Sequence, residues 1–209
     1  MNIVTKERYL ENPCGVASIP YWKTMHISAS DHMIILHDRE FRSEILKQYV
    51  DKPYFRLLHS LQNIKPVSVP NGYSICGAAI SDFAEHINKC YEDIGIPVSE
   101  LQSYVTRTVY SPELWLAVKD DYTGEIVATG IAELDREIGE GILEWIQVSK
   151  DYRRCGLGSY IVSELLWRMR NKAQFVTVSG QCDNLDMPEE LYRKCGFSGN
   201  DVWHILRER

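Results

Sequence analysis

Apolar residues change their period several times along this chain, and each change marks an element. Between 157 and 169, Leu157, Ile161, Leu165 and Met169 fall four apart while Glu164, Arg168 and Arg170 lie elsewhere, the pattern of a helix packed along one side. An apolar run of strand length, 142–148, precedes it and another, 174–178, follows. A strand, crossover helix and strand of this kind is right-handed in nearly every case, so the two strands lie side by side with the intervening turn at their C-terminal ends. Upstream, 114–121 and 125–134 read as strands joined by a Tyr122-Thr123-Gly124 hairpin turn, and Gly139-Glu140-Gly141 is a further turn. A short strand at 73–79 leads into Ser81-Asp82, a helix cap. The helix that follows shows Phe83, Ile87, Cys90 and Tyr91 on one face as far as Gly95, and a second short helix is expected at 99–106. Downstream, Asp186-x-x-Glu189 reads as a capping box, Gly196 as a helix-ending glycine and 202–206 as a closing strand.

The first seventy residues hold Pro13, Pro20, Pro53, Pro66 and Pro70, which predicts short elements separated by turns. Strands are expected near 21–27 and 33–37. Helices are expected near 40–50, where Phe41, Ile45, Leu46 and Tyr49 recur at helical spacing, and near 54–62. No Gly/Ser linker divides the chain, so residues 1–71 are expected to form an N-terminal extension packed on a core of residues 72–209.

Composition narrows the function classes. A chain of 209 residues with 44% hydrophobic and 25% charged side chains can bury a sizeable core. No run approaches the ~18 apolar residues of a membrane span, and the N-terminus lacks a secretory pattern, so a cytoplasmic protein without a membrane partner is expected. The net charge of −6 argues against nucleic acid as a partner and suits a cationic amine. Cysteines at 14, 76, 90, 155, 182 and 195 make no Cys-x-x-Cys pair, and the six histidines make no metal-spaced cluster, so reduced thiols and no metal are expected.

The chemistry concentrates where the strand at 142–148 turns into the helix at 157, through Arg153-Arg154-Cys155-Gly156-Leu157-Gly158-Ser159. Glycines let the backbone come close to a ligand, free amides at the helix start point at an anion, and two arginines add charge, which together would cradle a pyrophosphate. Tight strand-to-helix packing is the alternative use of such a turn. About thirty residues on stands Leu191-Tyr192-Arg193-Lys194-Cys195-Gly196-Phe197.

The two blocks, in this order and spacing, resemble the GCN5-related N-acetyltransferase (GNAT) family over roughly residue 72 to the C-terminus. The resemblance implies an α/β fold with a central mixed sheet and helices on both faces. It implies acetyl-coenzyme A as co-substrate, with acetyl passed directly to a primary amine of a small molecule or peptide. A non-catalytic acetyl-coenzyme A binding or sensing module is the alternative, and a homodimer is left open. The pyrophosphate contacts it implies are Arg153, Arg154, Cys155, Gly156, Leu157, Gly158 and Ser159, and the acetyl carbonyl would meet the backbone of Ile146, Gln147 and Val148. Tyr192 matches the tyrosine that protonates the departing thiolate; its other reading is a packed helix tyrosine. Glu144 is the candidate base, placed by two-residue alternation on one face with Ile146 and Val148, opposite Trp145 and Gln147. Its other reading is an exposed or salt-bridged glutamate, and Glu133 is the reserve. Asn184 would touch the cofactor or cap its own loop; it stands eight residues before Tyr192, whereas many family members place an asparagine seven before.

Overall fold

The computed structural model describes residues 4–27, 30, 32–91 and 95–209. Among the described residues, eight strands are ordered β1-β8-β2-β7-β6-β5-β4-β3. The chain divides into two compact units, one of residues 1–60 with 177–209 and the other of residues 61–176, and it passes between them along β7 (Phe175–Gln181). Among the described residues, no helix is long and apolar enough to cross a membrane.

The second unit holds β3 (Tyr73–Cys76), α4 (Ile80–Cys90), α5 (Val98–Tyr104), β4 (Trp115–Asp120), β5 (Ile126–Asp135), β6 (Glu140–Val148) and α6 (Leu157–Met169). Strands β3 to β6 pair antiparallel in succession, and the hairpin expected at 122–124 joins β4 to β5. Helix α6 returns the chain to β7 beside β6, the crossover that makes a mixed sheet. The two faces of β5 separate the helices. A Cβ on Gly130 would stand 2.3 Å from Ile161 of α6. The next residue, Ile131, is buried with Phe83, Ile87, Leu101 and Tyr104 of α4 and α5, and Trp145 packs against that cluster. Helix α4 starts two residues earlier than Ser81 as a cap would allow. Ala79 is the N-cap, and the Asp82 carboxylate reaches back to accept its amide at 2.7 Å. The helix ends at Cys90, and residues 92–94 of the expected extension lie outside the described residues.

The first unit holds α1 (Lys6–Glu11), α2 (Pro13–Val16), α3 (Tyr21–His26), β1 (Met33–His37), β2 (Tyr49–His59), α7 (Pro188–Lys194) and β8 (Ser198–Glu208). Strand β8 pairs antiparallel with both β1 and β2. Three expectations fail here. The strand expected at 21–27 is α3; Tyr21 is buried against Tyr9, ring centroids 5.4 Å apart, and the His26 ring nitrogen contacts the Trp22 carbonyl at 2.6 Å, one turn back. The helix expected at 40–50 shrinks to a 3-10 turn, Ser43–Lys47, because Phe41 stacks on His204 at 3.8 Å and Tyr49 already belongs to β2. The helix expected at 54–62 is the inner half of β2, with Phe55 and Leu57 buried. Pro53 stands inside this strand without breaking it. Its carbonyl accepts from the Cys182 amide at 2.9 Å, one residue past the end of β7, so its missing N–H falls where that ladder has ended.

The capping box expected at Asp186 and Glu189 is also absent. Met187 is the N-cap of α7, in a left-handed conformation with φ of 47°, and Pro188 opens the helix. The far end follows the expectation. Gly196, at φ of 94°, donates to the Arg193 carbonyl at 3.0 Å, and Phe197 donates to the Tyr192 carbonyl at 3.1 Å, the paired bonds of a Schellman ending. The Tyr192 and Phe197 rings, 5.8 Å apart, make the apolar contact that accompanies it. A Cβ at Gly196 would come within 2.8 Å of the His59 ring. Gly196→Ala is therefore expected to cost at least about 1–2 kcal/mol, read as a lowered midpoint in denaturant unfolding.

Candidate functional site

Strand β6 does not keep strict alternation. Its pairing with β5 slips between Ile131 and Ala132, so that Trp145 faces Ile131 and Leu143 faces Ala132, leaving Glu144 as the extra residue of a bulge. Glu144 is half-buried. Beyond the bulge the expected faces hold: Trp145 packs toward α4 and α5, while Ile146 stands beside Gly130 on the α6 face. Strand period places Val148 with Ile146. Gln147 is buried and its amide nitrogen donates to Thr129 directly opposite.

The turn that follows is strained and open. Arg154 has φ of 64°, a left-handed conformation that costs about 1–2 kcal/mol outside glycine, and Gly156 follows at 84° as the N-cap of α6. Among the described residues, no side chain caps this helix, and its first internal backbone bond runs from Tyr160 to the Gly156 carbonyl at 2.9 Å. The amides of Leu157, Gly158 and Ser159 thus precede the helical ladder. Leu157 is buried and anchors the helix, while Arg154, Cys155, Gly156 and Ser159 are exposed. Arg153 is half-buried, its Nε donating back to the Val148 carbonyl at 3.4 Å. A Cβ at Gly156 would meet nothing nearer than Pro70 at 3.7 Å, so the turn faces space. Charged side chains, unladdered amides and a positive dipole end are a donor set suited to a pyrophosphate. Tyr73 flanks the turn; burial and its hydrogen bond to the Cys155 thiol push its hydroxyl above the ordinary tyrosine range.

Behind the end of β6 lies a buried polar network that the sequence reading missed. His86 of α4 is 4% exposed. One ring nitrogen lies 2.9 Å from Thr129 Oγ1, the other 3.0 Å from Ser149 Oγ and 3.7 Å from Cys90 Sγ. Burial drives its pKa down to about 4 from 6.5, so the ring is neutral near pH 7. Its spacing carried a signal: His86 falls three residues after Phe83 and four before Cys90, on the helix face read as apolar. Tyr91, at the end of the same helix, donates its hydroxyl to the Ile146 carbonyl at 3.4 Å.

Glu133, the reserve base, is 2% exposed and paired with Arg107 at 2.7 Å.

Tyr192 and Asn184 belong to the first unit. Tyr192 is buried in α7 between Phe55 and Phe197. Asn184 serves its own loop, its side-chain oxygen accepting the Asp186 amide at 2.9 Å and its carbonyl the Met187 amide at 2.9 Å. That is the loop-capping use left open by the sequence.

An α/β sheet with helices on both faces and an anion-directed turn between a bulged strand and its crossover helix defines an acyl-coenzyme A N-acyltransferase fold. Residues 111–199 match the acetyltransferase (GNAT) domain family. Similar solved structures share its fold. A GCN5-related N-acetyltransferase from Sphaerobacter thermophilus superposes with a TM-score of 0.69 at 17% identity, over 90% of this chain and 64% of that one. A GNAT-family acetyltransferase from Colwellia psychrerythraea gives 0.60 at 13% identity, over 84% and 64%. The ribosomal-protein-S18-alanine N-acetyltransferase from Escherichia coli gives 0.50 at 16% identity, over 64% and 91%. The chain spans somewhat less than two thirds of the Sphaerobacter and Colwellia proteins. No curated protein matches it in sequence.

Because the folded state holds His86 neutral down to about pH 4 while an unfolded histidine takes up a proton near 6.5, stability is expected to fall as pH drops through that window. The loss attributable to this ring approaches about 3 kcal/mol, and unfolding midpoints of His86→Gln should depend less on pH between 6.5 and 4.

Proposed function

We propose that this chain is an N-acetyltransferase that passes the acetyl group of acetyl-coenzyme A directly to a primary amine. The observation that carries the reading is the turn at 153–159, where a strained backbone, an uncapped helix start and two arginines coincide. Acetyl-coenzyme A supplies the acetyl group as a thioester. The amides and charges of 153–159 hold its pyrophosphate, and backbone groups of Ile146, Gln147 and Val148 orient the carbonyl and stabilise negative charge on its oxygen.

The remaining work is proton transfer. An aliphatic amine is an ammonium near neutral pH and attacks only after losing a proton, which Glu144 accepts. The new C–N bond forms as the C–S bond breaks, the Tyr192 hydroxyl gives its proton to the sulfur, and the phenolate recovers one as the product nitrogen sheds its second proton. The bulge supports Glu144 in this role, since it takes that side chain out of the regular ladder at the middle of the strand. Asn184 remains a candidate cofactor contact only alongside its loop-capping bonds. A cytoplasmic location and a cationic acceptor fit the chain's acidic balance.

Calorimetry with acetyl-coenzyme A tests the cradle. Gly156→Val places a branched side chain at a left-handed position that opens on the turn, and at least a tenfold weaker affinity is expected, roughly 1.4 kcal/mol. Unchanged affinity in a folded variant would remove the cradle assignment.

Release of free coenzyme A across a panel of amines tests the catalysis. On whichever amine is consumed, Tyr192→Phe and Glu144→Gln should each lower turnover at least about tenfold with cofactor affinity little changed. Wild-type turnover in either variant would return that residue to a packing or surface role. Tight binding without thioester consumption by any amine would favour a sensing module instead.

A further inference from the structure

We infer that His86 is a positioning residue for coenzyme A binding, holding the end of β6, and with it the entry to the anion turn, against α4 and β5. The inference rests on the reading of residues 146–159 as the coenzyme A site. His86 is far more buried than exposed polar residues of the helix, and both ring nitrogens are engaged by hydroxyls. Burying an imidazole carries a desolvation cost, which is offset by hydrogen bonds that tie the ring to Thr129 and Ser149 on the neighbouring strands.

The connections run to the residues that matter. Thr129, on one side of the ring, stands opposite Gln147 and takes the hydrogen of its amide nitrogen. Ser149, on the other side, donates its backbone amide to the Val127 carbonyl at 2.9 Å, extending the β5–β6 ladder one residue past the strand. The ring therefore holds positions 147 and 149, which bracket Val148, and the Val148 carbonyl in turn receives Arg153 at 3.4 Å. None of these links reaches an exposed residue of the turn. They set the backbone from which the turn departs, and a misplacement of about 1 Å in such a frame can cost up to about a hundredfold in function.

The wider network has a direction. Thr129 accepts from Gln147, and burial keeps the imidazole neutral, so the ring brings one donor and one acceptor to its partners, the two hydroxyls and the Val127 backbone. Cys90, one turn further along α4, closes the network against Ser149; burial is the main influence on its thiol and pushes it above the ordinary range, while the Ser149 hydrogen bond acts the other way.

The test is calorimetric binding of coenzyme A to folded wild-type protein, His86→Phe, His86→Gln and Ser149→Ala, each well below its melting temperature. His86→Phe fills the site and removes both links, and at least about tenfold weaker binding is expected. His86→Gln presents an amide to Ser149 and should remain within about threefold of wild type, a rescue that loss of packing alone would not give. Ser149→Ala should weaken binding in the same direction as His86→Phe, and it carries the test if His86→Phe fails to fold. Wild-type affinity in folded His86→Phe, or in Ser149→Ala, overturns the inference while leaving the cradle intact. Wild-type protein that does not bind coenzyme A overturns the cradle reading and the inference together. The 15N shifts of the ring supply a ligand-free check: a neutral imidazole with one protonated nitrogen at pH 7 is expected, and a doubly protonated ring overturns the assignment.

Discussion

The single extra residue in β6 sets the phase of everything that follows it. Before the slip, Leu143 lies opposite Ala132; after it, Trp145 lies opposite Ile131, and Glu144 has been taken up by the bulge. Residues directly opposite share a face, so the bulge allows Trp145 to join the cluster under α4 and α5 while Ile146 keeps to the α6 side. A regular strand that kept Leu143 on its present face would turn both of these large side chains to the opposite faces. Both helical layers are therefore anchored on the same short stretch. Gln147 and Ser149 then fall on the α4 side, where His86 meets them, and the turn leaves the strand in a fixed orientation.

That fixed departure makes the strained turn tolerable. A left-handed arginine and a left-handed glycine two residues on would not persist in a free loop; each end here is tied to something rigid. On the strand side the ties are the β5–β6 ladder and the imidazole behind it. On the helix side they are Leu157, Ile161 and Leu165, all buried, which hold α6 on the sheet. Burial of such a side chain is worth about 1.5–3 kcal/mol, more than the strain of one left-handed residue. The amides of the helix start are thereby preorganised by the fold, as the proposed anion site requires.

How much of this could be read from the chain depended on whether local sequence and tertiary packing agreed. The β4–β5 hairpin, the strand before the turn and α6 were legible because turn residues and apolar period coincide there. The bulge was not, since Ile-Leu-Glu-Trp-Ile offers no glycine or proline to mark it, and alternation gave the right faces for Trp145 to Val148 only because those residues all lie beyond it. The N-terminal third misled in two ways. Aromatic residues at 21–26 suit a strand by propensity, yet they form a helix because Tyr21 finds Tyr9. The 49–59 segment hides a paired strand behind a proline whose missing donor costs nothing where β7 has stopped. His86 escaped because a histidine among apolar helix positions looks like core until its partners on other strands are known.

The Leu191-Tyr192 to Gly196-Phe197 motif deserves a double interpretation for a related reason. Its spacing is what a Schellman ending demands: Tyr192 three positions before the cap residue Cys195, Gly196 in the left-handed position after it, and Phe197 returning to touch the Tyr192 ring. The motif would therefore persist in a family for folding alone, and its presence does not by itself assign chemistry to the tyrosine. What folding requires of Tyr192, however, is its backbone carbonyl and its ring, the groups that Phe197 and Phe55 meet. A phenylalanine would provide both. The Schellman geometry makes no use of the hydroxyl, so the catalytic proposal is a statement about that oxygen and not about the motif that carries it.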